Sequence, residues 1–116
     1  MESRGQTVWN FSLILRDPLL RVLKQQEEYG TFEIQLGKLP QVITIEVGRH
    51  MTTDRSKVWV SHTIQTPVQM TPYRSARPYW RDPEIALRDT VRAFTDYYRK
   101  AVRAGHQPDQ GWLVQV

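Results

Sequence analysis

At 116 residues, 40% hydrophobic and 24% charged, the chain has the size and composition of one globular domain rather than of a disordered segment. It has no cysteine, which excludes disulfides, thiolate metal sites and thiol nucleophiles and suits a reducing, cytoplasmic setting. No run approaches the roughly 18 apolar residues of a membrane span, and a net charge of +4 is modest for a dedicated nucleic-acid binder.

The N-terminus has Glu2 beside Arg4, and its apolar run stops at Arg16, which is not the form of a signal peptide. Residues 7–16 alternate, with Trp9, Phe11, Leu13 and Leu15 on one side, and predict a first strand. Asp17-Pro18 then predicts a helix over 18–29. The aspartate suits the N-cap and the proline the first helical position, and Gly30 supplies a left-handed stop. Three strands follow. Phe32, Ile34 and Leu36 face one way in the first, and Gly37-Lys38-Leu39-Pro40 turns the chain. Val42 to Val47 forms the second, and residues 48–57 a polar hairpin loop. Val58 to Ile64 forms the third, with Val58, Val60, His62 and Ile64 opposite Trp59, Ser61 and Thr63.

Residues 66–83 hold Pro67, Pro72, Pro78 and Pro83 together with Tyr73, Tyr79 and Trp80. Prolines remove ladder donors, so this segment is a loop. Its aromatic rings alternate with Arg74, Arg77 and Arg81, which suits contact with bases or with an acidic protein. Packed down instead, the same rings make a structural strap. Asp82-Pro83 then opens a long helix that ends at Gly105. Leu87, Val91, Phe94, Tyr98 and Val102 share one face of it. Arg88, Arg92, Arg99 and Arg103 fall within about 60° on another, with Asp89 and Asp96 placed to pair with them. Residues 74–103 hold eight basic against four acidic side chains, the whole excess of +4. Ala86, Ala93 and Ala104 line a third side with Tyr97, a face that a homodimer would bury. Trp112-Leu113-Val114 suits a closing edge strand.

This order predicts one α+β domain over residues 1–116: a mostly antiparallel sheet of four to five strands with two helices packed on one face. Catalytic chemistry finds little footing in it. His50, His62 and His106 form no HxxxH or HxH pair, and neither a G-x-S-x-G elbow nor a glycine-rich phosphate loop is present. Alternation should turn Ser61 and His62 to opposite faces and keep them apart. His62 is expected in the core or at its rim, and His106 at the helix end. No cofactor or metal is expected, and no catalytic residue is nominated.

The tail carries Phe94-Thr95-Asp96-Tyr97-Tyr98, then Gly105-His106-Gln107-Pro108, then Trp112-Leu113-Val114. Over about a quarter of the chain it resembles the C-terminus of small uncharacterised proteins carried on mobile gene cassettes. That resemblance implies a bacterial, stand-alone α+β protein and supplies no site residues.

The leading functional expectation is a non-enzymatic binding module, homodimeric, that contacts an acidic protein partner through the loop and the long helix. Its residues are Tyr73, Arg74, Arg77, Tyr79, Trp80, Arg81, Arg88, Arg92, Arg99 and Arg103. The alternative is nucleic-acid binding by the same side chains. A second alternative is a small-molecule or enzymatic pocket beneath the loop near His62.

Overall fold

The alternating middle of the chain builds a four-stranded antiparallel sheet in the computed structural model, which describes residues 11–49, 55–76 and 79–116. Strands β1 (Leu20–Gln26), β2 (Thr31–Leu36), β3 (Ile43–Arg49) and β4 (Ser56–Val60) lie side by side in chain order. A second sheet pairs β5 (His62–Ile64) with β6 (Leu113–Gln115). The helices are a single turn, α1 (Phe11–Ile14), and the long α2 (Pro83–Arg103).

Period-two alternation makes one face of the main sheet apolar. Phe32, Ile34 and Leu36 of β2 are fully buried beside Ile43 and Ile45 of β3, each contributing about 1.5–3 kcal/mol relative to exposure. Leu87, Val91, Phe94 and Tyr98 of α2 pack on that face. Phe11 of α1 meets Phe32 edge-on at 5.2 Å, and α1 also touches α2. Both helices thus cover one side of an antiparallel sheet, the α+β arrangement expected from the sequence.

The ends of α2 form as the sequence predicts. The Asp82 carboxylate accepts the Ile85 N–H at 2.8 Å, and Pro83 follows it in the first turn. At the other end Gly105 takes φ 94°, while the N–H groups of Gly105 and His106 donate to the carbonyls of Val102 and Ala101, each at 3.0 Å. This is a Schellman closure. The ring of Tyr98 reaches over Gly37, where a Cβ would overlap it, and its hydroxyl accepts the Lys38 N–H at 3.1 Å. The helix is thereby tied to the β2–β3 turn.

Three local expectations are corrected. The predicted helix over 18–29 is instead a turn followed by the edge strand β1. Asp17 does cap backbone donors, accepting the Leu19 N–H on its carboxylate at 2.9 Å and the Leu20 N–H on its carbonyl at 2.9 Å. That geometry closes a turn, and the open edge of β2 then supplies partners for six of the seven residues of β1. The pattern Leu19-Leu20-x-Val22-Leu23 fits a helix, but it fits a strand with an irregularity too. The register indeed slips between Val22 and Lys24, leaving Leu23 as an extra, bulged residue. Gly30 keeps its left-handed φ of 66°, but ends only the short 3₁₀ turn Glu27–Tyr29. The strand predicted over 7–16 lies partly outside the described residues, and within them Phe11–Ile14 is helical. The single strand predicted over 58–64 bends at Ser61 and divides into β4 and β5, which pair with different neighbours.

Candidate functional site

The proline-rich segment 65–82 is pinned to the fold at both ends. At its start the Tyr73 N–H donates to the Ile64 carbonyl at 2.9 Å, and the Thr63 hydroxyl donates to the Tyr73 carbonyl at 2.8 Å. Gln69 closes the intervening loop, its amide bonding the Thr66 N–H and the Ile64 carbonyl. At its end Trp80 and Ser56 exchange both backbone hydrogen bonds, at 2.8 and 2.9 Å. The Trp80 side chain is 6% exposed and donates from Nε1 to the Asp89 carboxylate at 2.9 Å. Trp80 is therefore a core residue that holds the segment against α2. Ala86 is fully buried and Ala93 is 9% exposed, so the middle of the alanine stripe is already covered within one chain.

The ten nominated binding residues divide among several places. Tyr73 is half-buried, its ring 6.2 Å from that of Tyr97 on α2. Arg74 is exposed at the mouth of a cavity under the strap. Arg77 lies outside the described residues. Arg99 takes its main partner from outside the helix, with Asp96 a smaller favourable charge beside it. Its guanidinium grips the Asp17 carboxylate through both terminal nitrogens, with Nη1 to Oδ2 at 2.8 Å and Nη2 to Oδ1. That hydrogen bond holds the Asp17 carboxyl below its usual range against the opposing effect of burial, with help from the Leu19 N–H. Arg88 reaches its neighbour Asp89 only at 3.8 Å. Arg88 and Arg92 line a cleft with Leu13 and Ile14 of α1, while Arg103 is exposed in the last turn.

Tyr79 and Arg81 flank buried Trp80 in the chain, and the Tyr79 ring lies near Lys57 of β4. Trp59 of β4 is 49% exposed on the face of the main sheet that no described helix covers. A Cβ on Gly48 of β3 would lie 2.7 Å from its six-membered ring, so the indole packs where only a glycine leaves room. The Lys57 ammonium lies between two rings, 5.5 Å from the centre of Trp59 and 6.0 Å from that of Tyr79. Arg55 and Arg81, both exposed, flank the Ser56–Trp80 bridge beside them. Glu46 stands opposite Trp59 on β3, and Glu33 pairs loosely with Lys24 at 3.9 Å further across. The face is thus basic and aromatic along the β4 edge and acidic toward β2. The sequence signal for this site was Gly48 and Trp59 on neighbouring strands, but only the register puts them together.

Ser61 and His62, expected on opposite faces, are in contact. Ser61 Oγ lies 2.8 Å from His62 Nδ1 and accepts the Thr44 N–H at 2.8 Å. Alternation fails here because Ser61 is the bend between β4 and β5. Its oxygen replaces a ladder acceptor for β3, which is a structural task. Among the described residues no group of three histidine or carboxylate side chains could hold a metal ion. Among them, too, no helix is long and apolar enough to cross a membrane. No family model, curated protein or solved structure matches this chain.

Proposed function

We propose that the β4 edge of the open sheet face binds single-stranded nucleic acid, the protein acting as a binding module rather than an enzyme. The observation that carries the reading is Trp59, a half-exposed indole on a regular strand whose six-membered ring closes against Gly48 of the neighbouring strand. A ring held this way offers a rigid stacking surface at little entropic cost, and stacking on it does not depend on base identity. Lys57, Arg55 and Arg81 supply the cations that phosphates need beside it. Glu46 and Glu33 repel phosphates, so the strand would follow the β4 edge and not cross the sheet.

Fluorescence anisotropy with a labelled 12-nucleotide oligomer at about 50 mM salt tests this. Three phosphate contacts give a logarithmic salt slope of about −2. Trp59→Ala should abolish binding with a stability change below about 1 kcal/mol, since the ring is half in water. No binding of DNA or RNA oligomers at low salt would end the proposal.

A protein partner is the second reading, favoured by Leu13, 55% exposed beside Arg88 and Arg92 in a cleft of about 740 Å³ between α1 and α2. It is lined by Arg16, Arg88 and Arg92 and equally by Asp17, Asp82 and Glu84, a mixed charge that suits a second copy of the chain. With the alanine stripe covered, a dimer would use this cleft. Light scattering at micromolar concentration decides it: a mass that stays at 13.7 kDa on concentrating removes the dimer. A cytoplasmic setting and the gene-cassette resemblance of the tail belong to the same proposal and add no site residue.

A further inference from the structure

The bend at Ser61 has a consequence on the helix side of the sheet. β4 pairs with β3, but its continuation β5 pairs with β6, so the two sheets diverge beyond the bend. Val58 and Val60 point inward from β4 without a further strand beside them, and Val114 flanks the gap on β6. Pro72, Tyr73, Arg74 and Ser75 from the start of the strap, and Trp80 from its end, border this gap. The result is a cavity of about 580 Å³, within the range that holds a small organic ligand.

Its apolar walls are Val58, Val60, Val114 and Trp80, whose Nε1 is bound to Asp89, while Thr63, Thr90 and Gln115 add uncharged polar groups. Among the described residues no aspartate or glutamate side chain lines it, and Arg74 at its mouth is exposed with no described carboxylate pairing it. A mainly apolar interior beside one guanidinium with no described carboxylate partner selects for a molecule with an apolar body and a single anionic end. We propose that this cavity binds small amphiphilic carboxylates of medium-chain length, the carboxylate on Arg74 and the chain between β4 and β6. None of Arg55, Lys57, Trp59, Tyr79 and Arg81 lines it, so this site is independent of the nucleic-acid surface.

Decanoate is the probe, titrated into the full chain and followed by amide chemical shifts, with decanol as the uncharged control. Saturable shifts at Thr63, Ser75 and Val114 are expected. Loss of a charge-assisted contact corresponds to roughly 10- to 100-fold weaker binding, so both decanol on the wild type and decanoate on Arg74→Glu should show it. Arg74 is exposed, so this variant should fold normally. Val114→Trp, on the outer edge strand, should plug the cavity and remove binding, while Trp59→Ala should leave it unchanged. The proposal is overturned if decanoate shows no saturable binding up to millimolar concentration. It is equally overturned if Arg74→Glu binds decanoate as wild type does.

Discussion

Trp80→Ala tests whether the proline-rich segment is a strap. Trp80 is 6% exposed, so nearly the whole indole leaves water on folding. A buried aromatic side chain removes about 150–250 Å², which at 25 cal/mol/Å² is roughly 4–6 kcal/mol. Compaction of the unfolded chain and the retained Cβ lower this to about 3–5 kcal/mol, the range of core Trp→Ala changes. The hydrogen bond to Asp89 adds little, because that carboxylate is part-exposed and returns to water. A domain of this length has only about 6–17 kcal/mol of stability in all, so the loss is large. Urea denaturation followed by circular dichroism measures it. Trp80→Phe keeps one ring while losing the donor and the rest of the indole, and should recover about half of the deficit. A change below about 1 kcal/mol for Trp80→Ala would refute the reasoning, because the segment would then be held by its ends alone.

The Asp17–Arg99 pair makes an acid-sensitive contribution. The folded-state pKa of Asp17 is lowered, so the stability it contributes is present above the unfolded value near pH 4 and lost as pH falls through the folded one. Both partners are part-exposed, which limits this to about 1 kcal/mol; denaturation midpoints of Asp17→Asn should accordingly fall less steeply below about pH 4 than those of wild type. Gly30 and Gly105 both have positive φ, but a Cβ on Gly30 would overlap the Val47 carbonyl while one on Gly105 meets nothing. Thermal melts should place Gly105→Ala about 1–2 kcal/mol below wild type and Gly30→Ala well below that, and equal losses would mean that the close approach to β3 is unimportant. Gly48→Ala should lift the Trp59 ring off its strand, weakening oligonucleotide binding in anisotropy titrations with little change in melting temperature.

Legibility differed from element to element. The β2 and β3 faces and the α2 caps could be read because each depends on neighbours in sequence: strict alternation in Thr31–Leu36, Asp82-Pro83 at one end, Gly105 at the other. β1 could not. Leu19, Leu20, Val22 and Leu23 satisfy a helix as well as a bulged strand, and the deciding term is the row of unpaired donors and acceptors on β2. Arg99 looked like a member of a free cationic stripe until Asp17, 82 residues away, took its guanidinium. The binding surface shifted for the same reason. Trp80 stood out by composition and is buried, whereas Trp59 sat inside an ordinary strand pattern and is exposed.

By itself the sequence determined the α+β class, the apolar faces of β2, β3 and α2, the limits of the long helix and the basic balance of its second half. These follow from local chemistry: side-chain period, caps, prolines and charge, each acting within a few residues. Tertiary structure alone decided the rest. It chose strand over helix at Leu20–Gln26, divided one predicted strand at Ser61, seated Trp80 under the strap and set Trp59 on Gly48. Each of these outcomes turns on which distant group satisfies a backbone donor or covers a ring. Such pairings are set by packing the whole chain, and no window of the sequence contains both partners.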